Sequence, residues 1–292
     1  MSKRTVAELL LVLITLIWGA TFVVVKGALS DASPLPFIAL RFILAGILLL
    51  VVLARGRIDR KALVPGLTLG VWLWLGYAGQ TSGLVYTTPS KSAFITGFSV
   101  ILVPLLMVFW GFRLRAASLV GAAFGLAGLY LLVAPSGPLG IIGVNRGDLL
   151  VLLGSVAFAF HIVLVGVYTR RVSFLHLVPM QILTVGVLAA VAWPFGPRAV
   201  LHGTVRLLAA LLITAILATA FAFSVQNWAQ QFTPPAHTAL IFALEPVFAA
   251  ITSRLVLGEH LGKRVLIGSG LILAGMVFSE IWGGAAPTPV EG

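Results

Sequence analysis

Apolar positions run along almost the whole chain in long stretches, broken only by short clusters of charge, Pro or Gly. A helix needs about 20 apolar residues to cross the hydrocarbon core, where all its backbone polar groups must be bonded internally. Reading the stretches this way predicts ten transmembrane helices, near 6–28, 35–54, 62–83, 89–112, 116–134, 147–169, 174–194, 204–230, 234–257 and 264–283. The first follows Lys3 and Arg4 as a signal peptide would. It is too long for a signal-peptide core, however, and leads into Trp18-Gly-Ala-Thr-Phe22 with no small-residue cleavage site, so it reads as a retained span. The longest connection, around 135–146, is rich in Pro and Gly and lies halfway along the chain.

Composition fixes the class. Of 292 residues, 60% are hydrophobic and 9% charged, against about 25% charged in a soluble domain. The chain reads as an all-α integral membrane protein with no stretch of mixed composition for a soluble catalytic module. The nearest approach to a phosphate loop, Gly258-Glu-His-Leu-Gly262-Lys263-Arg264, has the wrong spacing and no Ser or Thr after the lysine. With no Cys there is no disulfide or thiolate metal site, and no metal or other cofactor is expected. The net charge of +11 sits in short loops and not on a basic face, which argues against nucleic acid.

Those loop charges bear on orientation instead. A cytoplasmic N-terminus puts Lys3, Arg4, Arg55, Arg57, Arg60, Lys61, Arg113 and Arg115 inside, with Lys26, Lys91 and Arg146 outside. The second half runs the other way, with Arg170 and Arg171 inside but Arg198, Arg206, Lys263 and Arg264 outside. Early helices usually dominate, so both termini are expected to be cytoplasmic.

The halves repeat one another. An offset of 140 residues pairs Glu8 with Asp148, Trp18 with Phe158, Thr21 with His161 and Arg41 with Gln181. An offset of 146 pairs Tyr77 with Phe223, Gln80 with Gln226, Pro89 with Pro235, Ser92 with Thr238 and Ser99 with Glu245, and an offset of 147 brings Gly121 and Gly128 onto Gly268 and Gly275. Polar matches within spans carry the weight, because polar groups in hydrocarbon are costly. Two five-helix repeats follow, 1–140 and 141–292; the odd number of spans per repeat inverts the second, placing a central cavity between them.

Several elements together carry a family resemblance. They are Trp18-Gly19, Arg41-Phe42, Ser92-Ala-Phe-Ile95, Glu245-Pro246, and Leu257-Gly258-Glu259 leading into Ile267-Gly268 and Ala274-Gly275. In order and spacing they resemble the EamA-type drug/metabolite transporters over roughly 5–282. The resemblance implies a duplicated five-helix unit that exports small metabolites, often amino acids, from the bacterial inner membrane. The first half departs from the pattern: its Phe112-Arg-Leu-Arg115 connection lacks the Gly-Glu pair, which puts a symmetric role for that element in doubt.

Polar and aromatic residues within the spans are the candidate site. Trp18, Thr21, Tyr77, Gln80, Phe94, His161 and Gln226 are expected to edge the cavity and bind substrate. Trp72, Trp74, Asn227 and Trp228 crowd the same two helices as the glutamines. Helix–helix hydrogen bonding would also account for the glutamines and for His161. Arg41 either snorkels and fixes helix depth, bonds neighbouring carbonyls, or attracts a substrate carboxylate. Glu245, beside Pro246, must be paired or protonated; it is structural, recognises an amine, or couples protons. Gly121-Ala-Ala-Phe-Gly125 and Gly268-Ser-Gly270 read as close-packing surfaces.

The function expected is alternating-access export of amino acids or related metabolites, neutral or aromatic, by a monomer in the bilayer. Two alternatives stand beside it. One is a proton-coupled multidrug pump, disfavoured because Glu8, the only acid of the first helix, lies near its inner end. The other is an intramembrane lipid-modifying enzyme, which lacks clustered acid–base groups.

Overall fold

The computed structural model describes residues 2–110, 116–133, 145–195, 200–258 and 263–283. The described residues are almost all helical: α1 (Lys3–Ala28), α2 (Pro34–Val52), α3 (Leu63–Leu84), α4 (Pro89–Thr96), α5 (Ser99–Met107), α6 (Ala116–Val133), α7 (Arg146–Tyr168), α8 (Phe174–Ala192), α9 (Val205–Ala215), α10 (Ala222–Ala229), α11 (Pro235–Phe242), α12 (Glu245–Leu257) and α13 (Lys263–Gly283). Local chemistry sets several starts. Ser2 and Thr204 accept from backbone N–H groups of the first turns of α1 and α9, and Asn145 and Asp148 form a reciprocal capping box on α7. Prolines open α2, α4 and α11, where the missing N–H costs nothing.

Eight helical segments among the described residues are long and apolar enough to cross a membrane; α6 and α13 carry shorter apolar stretches, Leu119–Gly128 and Leu266–Gly275. Three expected spans are not continuous helices. The fourth, 89–112, breaks at Gly97–Phe98 between α4 and α5, and the ninth, 234–257, breaks at Ala243–Leu244 between α11 and α12. Pro246 has no N–H to offer the Phe242 carbonyl, so the regular ladder cannot pass that point. The eighth, 204–230, turns π-helical over Ile216–Phe221, where the Thr219 hydroxyl donates to the Thr214 carbonyl at 2.8 Å. The half-way connection near 135–146 and the boundary at 140/141 fall almost wholly outside the described residues, as do Arg113, Arg115, Arg198 and Glu259. Gly258, which precedes Glu259, ends α12 at a φ of 71°, a conformation suited to glycine.

Helix association inside a bilayer depends on close packing and not on escape from water, and glycines permit it at several crossings. Where α2 crosses α8, Gly46 lies against Leu183 and Gly186 against Ile43. Where α6 crosses α13, Gly128 meets the Gly268 carbonyl and Gly275 the Gly121 carbonyl.

Charged residues concentrate at the two ends of the bundle. At the end where α1 begins, Glu8 Oε1 lies 2.7 Å from Arg4 Nε and 3.5 Å from His237 Nε2. At the far end Lys26 Nζ donates to the Leu84, Val85 and Thr87 carbonyls, and Lys91 Nζ pairs with Asp148 Oδ2 at 2.6 Å. Also there, Arg206 grips Asp31 with Nε at 2.8 Å and Nη2 at 2.7 Å, and Thr204 donates to the same carboxylate at 2.7 Å. The Arg206 hydrogen bonds, aided by Thr204, hold the Asp31 carboxyl down at about 2.

Candidate functional site

A cavity lined from both halves of the chain, about 780 Å³ when the open space at its mouth is counted, lies at its centre. It runs from Leu73, Phe158 and His161 at mid-depth toward Val25 and Leu84 near the far end. Toward the end where α1 begins, the space is filled by Leu11, Ile14, Val103, Ala159, Val163 and Ile241, packed against one another. The two helix breaks meet the cavity: Thr96, Gly97 and Ser99 line it from one, Phe242 and Glu245 from the other. Irregular backbone at membrane depth is tolerated where it lines such a space.

Aromatic rings make much of the wall. Trp18 lies edge-on to Phe242 at 5.0 Å and tilted to Phe223 at 5.4 Å, and Tyr77 meets Phe158 at 5.3 Å and 89°. The π-helical stretch supplies an acceptor, since the Ala218 carbonyl takes hydrogen bonds from Trp18 Nε1 at 2.9 Å and Arg41 Nη2 at 3.3 Å. Arg41, 4% exposed, also donates from Nε to Thr219 Oγ1 at 2.7 Å, and its guanidinium lies 4.9 Å from the Tyr77 ring centre. Its remaining nitrogen, Nη1, has no protein partner among the described residues.

Glu245, on the same cavity and 9% exposed, has no hydrogen bond or ion pair among the described residues. Gln226 donates to Gln230 Oε1 at 3.1 Å, yet its own Oε1 is buried without a partner. Gln80 donates to Thr96 Oγ1 at 3.0 Å, tying α3 to the first helix break. His161 Nε2 lies 2.7 Å from Gln181 Oε1. Thr21 donates to the Trp18 carbonyl at 2.9 Å, so its donor is used within α1.

Six of the seven residues expected to bind substrate, Trp18, Thr21, Tyr77, Gln80, His161 and Gln226, therefore line one cavity, together with Arg41 and Glu245. Phe94 does not. It packs with Val100, Ala122, Leu240 and Ile272, because two residues along a helix turn about 200° and the face that brings Thr96 to the cavity carries Phe94 away. Nor do Trp72, Trp74 and Trp228 reach the wall: Trp72 stacks on Phe160 at 4.3 Å, Trp74 packs against the buried cluster that holds Ile38 and Phe42, and Trp228 lies against Phe232. Sequence reasoning missed Thr81, Thr96 and Phe242 as wall residues. The offset that matched Ser99 with Glu245 pointed to the stretch holding two of them, and Pro246 marks a kink in the ninth span, but nothing in the pattern marked the break at Gly97–Phe98.

The EamA-like transporter family profile matches residues 5–134 and again 145–280. An uncharacterized transporter of Archaeoglobus fulgidus is 37% identical over 96% of this chain and 87% of its own. The uncharacterized inner membrane transporter YedA of Escherichia coli K12 is 26% identical over 90% of this chain and 86% of its own. A solved structure described only as the crystal structure of a protein shares the fold, with a TM-score of 0.76 at 21% identity, covering 94% of this chain and 96% of that one. With its helical spans, central cavity and two profile matches, the chain belongs to the EamA-like transporter family.

Proposed function

We propose that this transporter exports small zwitterionic metabolites, amino acids with neutral or aromatic side chains, by alternating access. In this reading ten spans form two inverted five-helix repeats, 1–140 and 141–292, with both termini in the bacterial cytoplasm. The observation that carries the substrate class is a cation and a carboxyl on one aromatic-walled cavity: Arg41 with Nη1 uncommitted, and the Glu245 carboxyl with no hydrogen bond or ion pair, both among the described residues, so that an arriving ammonium would supply the partner an ionised Glu245 needs. Arg41 takes the carboxylate, Glu245 and Gln226 Oε1 take the ammonium, and the rings of Trp18, Tyr77, Phe158 and Phe223 cover the side chain. The pathway lies within one chain, so a monomer suffices.

Reciprocal contacts support the two-fold arrangement. On the offset of 140, the Gly46–Leu183 contact maps onto Gly186–Ile43, and on the offset of 147 Gly128–Gly268 maps onto Gly275–Gly121. The polar contacts at the two ends behave alike. Lys91–Asp148 at the far end and His237–Glu8 at the near end occupy matching positions on the offsets of 146 and 140. Equivalent contacts thus stand at opposite ends of the bundle, as an inverted repeat requires. With both termini cytoplasmic, the cavity leans toward the outside.

A competition panel tests the substrate class. Uptake of radiolabelled L-phenylalanine into liposomes containing the purified protein should be competed by neutral amino acids and weakly by compounds lacking either the ammonium or the carboxylate. Competition by organic cations alone, driven by a pH gradient, would replace this reading with drug efflux; turnover of a lipid without solute flux would replace it with an enzyme.

A further inference from the structure

Behind the cavity wall three buried side chains form a chain of hydrogen bonds whose direction can be derived. Asn227 Nδ2 lies 2.9 Å from the Phe223 carbonyl oxygen, Gln181 Nε2 lies 3.1 Å from Asn227 Oδ1, and Gln181 Oε1 lies 2.7 Å from His161 Nε2. Gln181 and Asn227 are fully buried and His161 is 1% exposed. A backbone carbonyl can only accept, so Asn227 must present its NH₂ to Phe223 and its oxygen to Gln181. Gln181 must then present its NH₂ to Asn227 and its oxygen to His161. No hydroxyl stands in the chain to reverse it. His161 therefore carries its proton on Nε2, and Nδ1, with no protein partner among the described residues, is left as the open position of a residue on the cavity wall.

We propose that Gln181 and Asn227 are positioning residues, anchored on the Phe223 carbonyl, that lock His161 in the Nε2–H tautomer and so present its Nδ1 lone pair to the cavity as a hydrogen-bond acceptor. This rests on the substrate reading only for its use: the lone pair joins Glu245 and Gln226 Oε1 as an acceptor for a ligand N–H. The repeat equivalent of Gln181 is Arg41, which reaches instead to Thr219 and Ala218. One half thus supplies a donor for an anion and the other an acceptor for a donor, so the two-fold scaffold holds a polar ligand in one orientation.

The test is nitrogen NMR of the full-length protein in lipid bilayers, labelled with ¹⁵N-histidine and read without substrate. The chain has five histidines, and the signal lost in His161→Ala assigns the one that matters. Wild type should show a protonated Nε2 and a bare Nδ1. Asn227→Leu removes the anchor and frees the Gln181 amide to rotate, so the tautomer ratio should fall by roughly tenfold or more. Gln181→Leu should do the same and serves if Asn227→Leu does not fold. A wild-type spectrum with the proton on Nδ1 overturns the proposal, as does a folded Asn227→Leu or Gln181→Leu protein with an unchanged ratio. Because the spectrum is read without ligand, loss of the amino-acid reading through the flux panel would leave this result standing, and the reverse also holds.

Discussion

Glu245→Gln separates a structural carboxylate from one that waits for a ligand. In the unliganded cavity the Glu245 carboxylate has no hydrogen bond or ion pair among the described residues, so a neutral amide of the same shape breaks nothing there. Removing an uncompensated buried acid leaves stability unchanged or raised. The loss falls on the ligand. A hydrogen bond to a charged group is worth about 1.5–3 kcal/mol, and each 1.4 kcal/mol is about tenfold in affinity, so binding of a neutral amino acid should weaken roughly 10- to 150-fold. The pH profile should change too: acidification protonates the wild-type carboxyl and weakens its hold on an ammonium, a limb the variant cannot show. Thermal unfolding in detergent and half-saturation of flux in liposomes, each across a pH series, read both effects. A variant with clearly lower melting temperature but unchanged half-saturation and pH profile would show that the carboxyl holds the helix break together and leaves the ligand to other groups.

Four further outcomes follow from the same geometry. His161→Ala and Gln80→Ala should each impair flux at normal expression, the first leaving Gln181 Oε1 without its donor and the second releasing Thr96; unchanged flux in both removes them from the site. Phe94→Ala should lower stability by up to about 3 kcal/mol without changing half-saturation, because Phe94 packs with Val100 and Leu240 away from the cavity; a changed half-saturation would return it to the wall. Gly79→Ala would set a Cβ about 2.6 Å from the Leu150 carbonyl and 3.0 Å from the Gly154 nitrogen, both backbone, so α3 and α7 must separate, and a loss of about 1–3 kcal/mol is expected in thermal unfolding. The Asp31 carboxyl, held at about 2 by Arg206 and Thr204 against an ordinary 3.8, stabilises the far end above pH 3.8 and loses that contribution as pH falls through about 2. Asp31→Asn should therefore lower the melting temperature at neutral pH and converge with wild type in strong acid; a constant difference across the series would refute the pairing.

Much of the architecture was legible because a bilayer imposes a length and a composition on whatever crosses it. Runs of apolar residues bounded by charge located the helices to within a few residues, as with 174–194 against Phe174–Ala192. Polar and aromatic residues within the spans, such as Gln80 and Gln226, located most of the cavity. What stayed hidden depends on backbone detail. Pro246 signals a kink in the ninth span, but Phe242–Leu244 reads as uninterrupted apolar sequence, and only the three-dimensional path shows that one helix ends there and another begins. The π-helical stretch at Ile216–Phe221 leaves no mark in an apolar run, so the acceptor shared by Trp18 and Arg41 could not be foreseen. Tryptophan was misleading for a related reason: Trp72 and Trp74 share a helix with Gln80, but a helix has several faces, and aromatic residues fill lipid-facing and packed surfaces as readily as cavities.

The central claim is that one cavity, shared by two inverted halves, carries a zwitterion across the membrane. Counterflow tests it most directly: liposomes containing the purified protein, preloaded with unlabelled L-phenylalanine, are given the radiolabelled amino acid outside. The account predicts saturable accumulation of label that transiently exceeds equilibrium and that Arg41→Met and Glu245→Gln each reduce at least tenfold. Label that never enters faster than in protein-free liposomes, or enters without saturation and equally well in both variants, would contradict it.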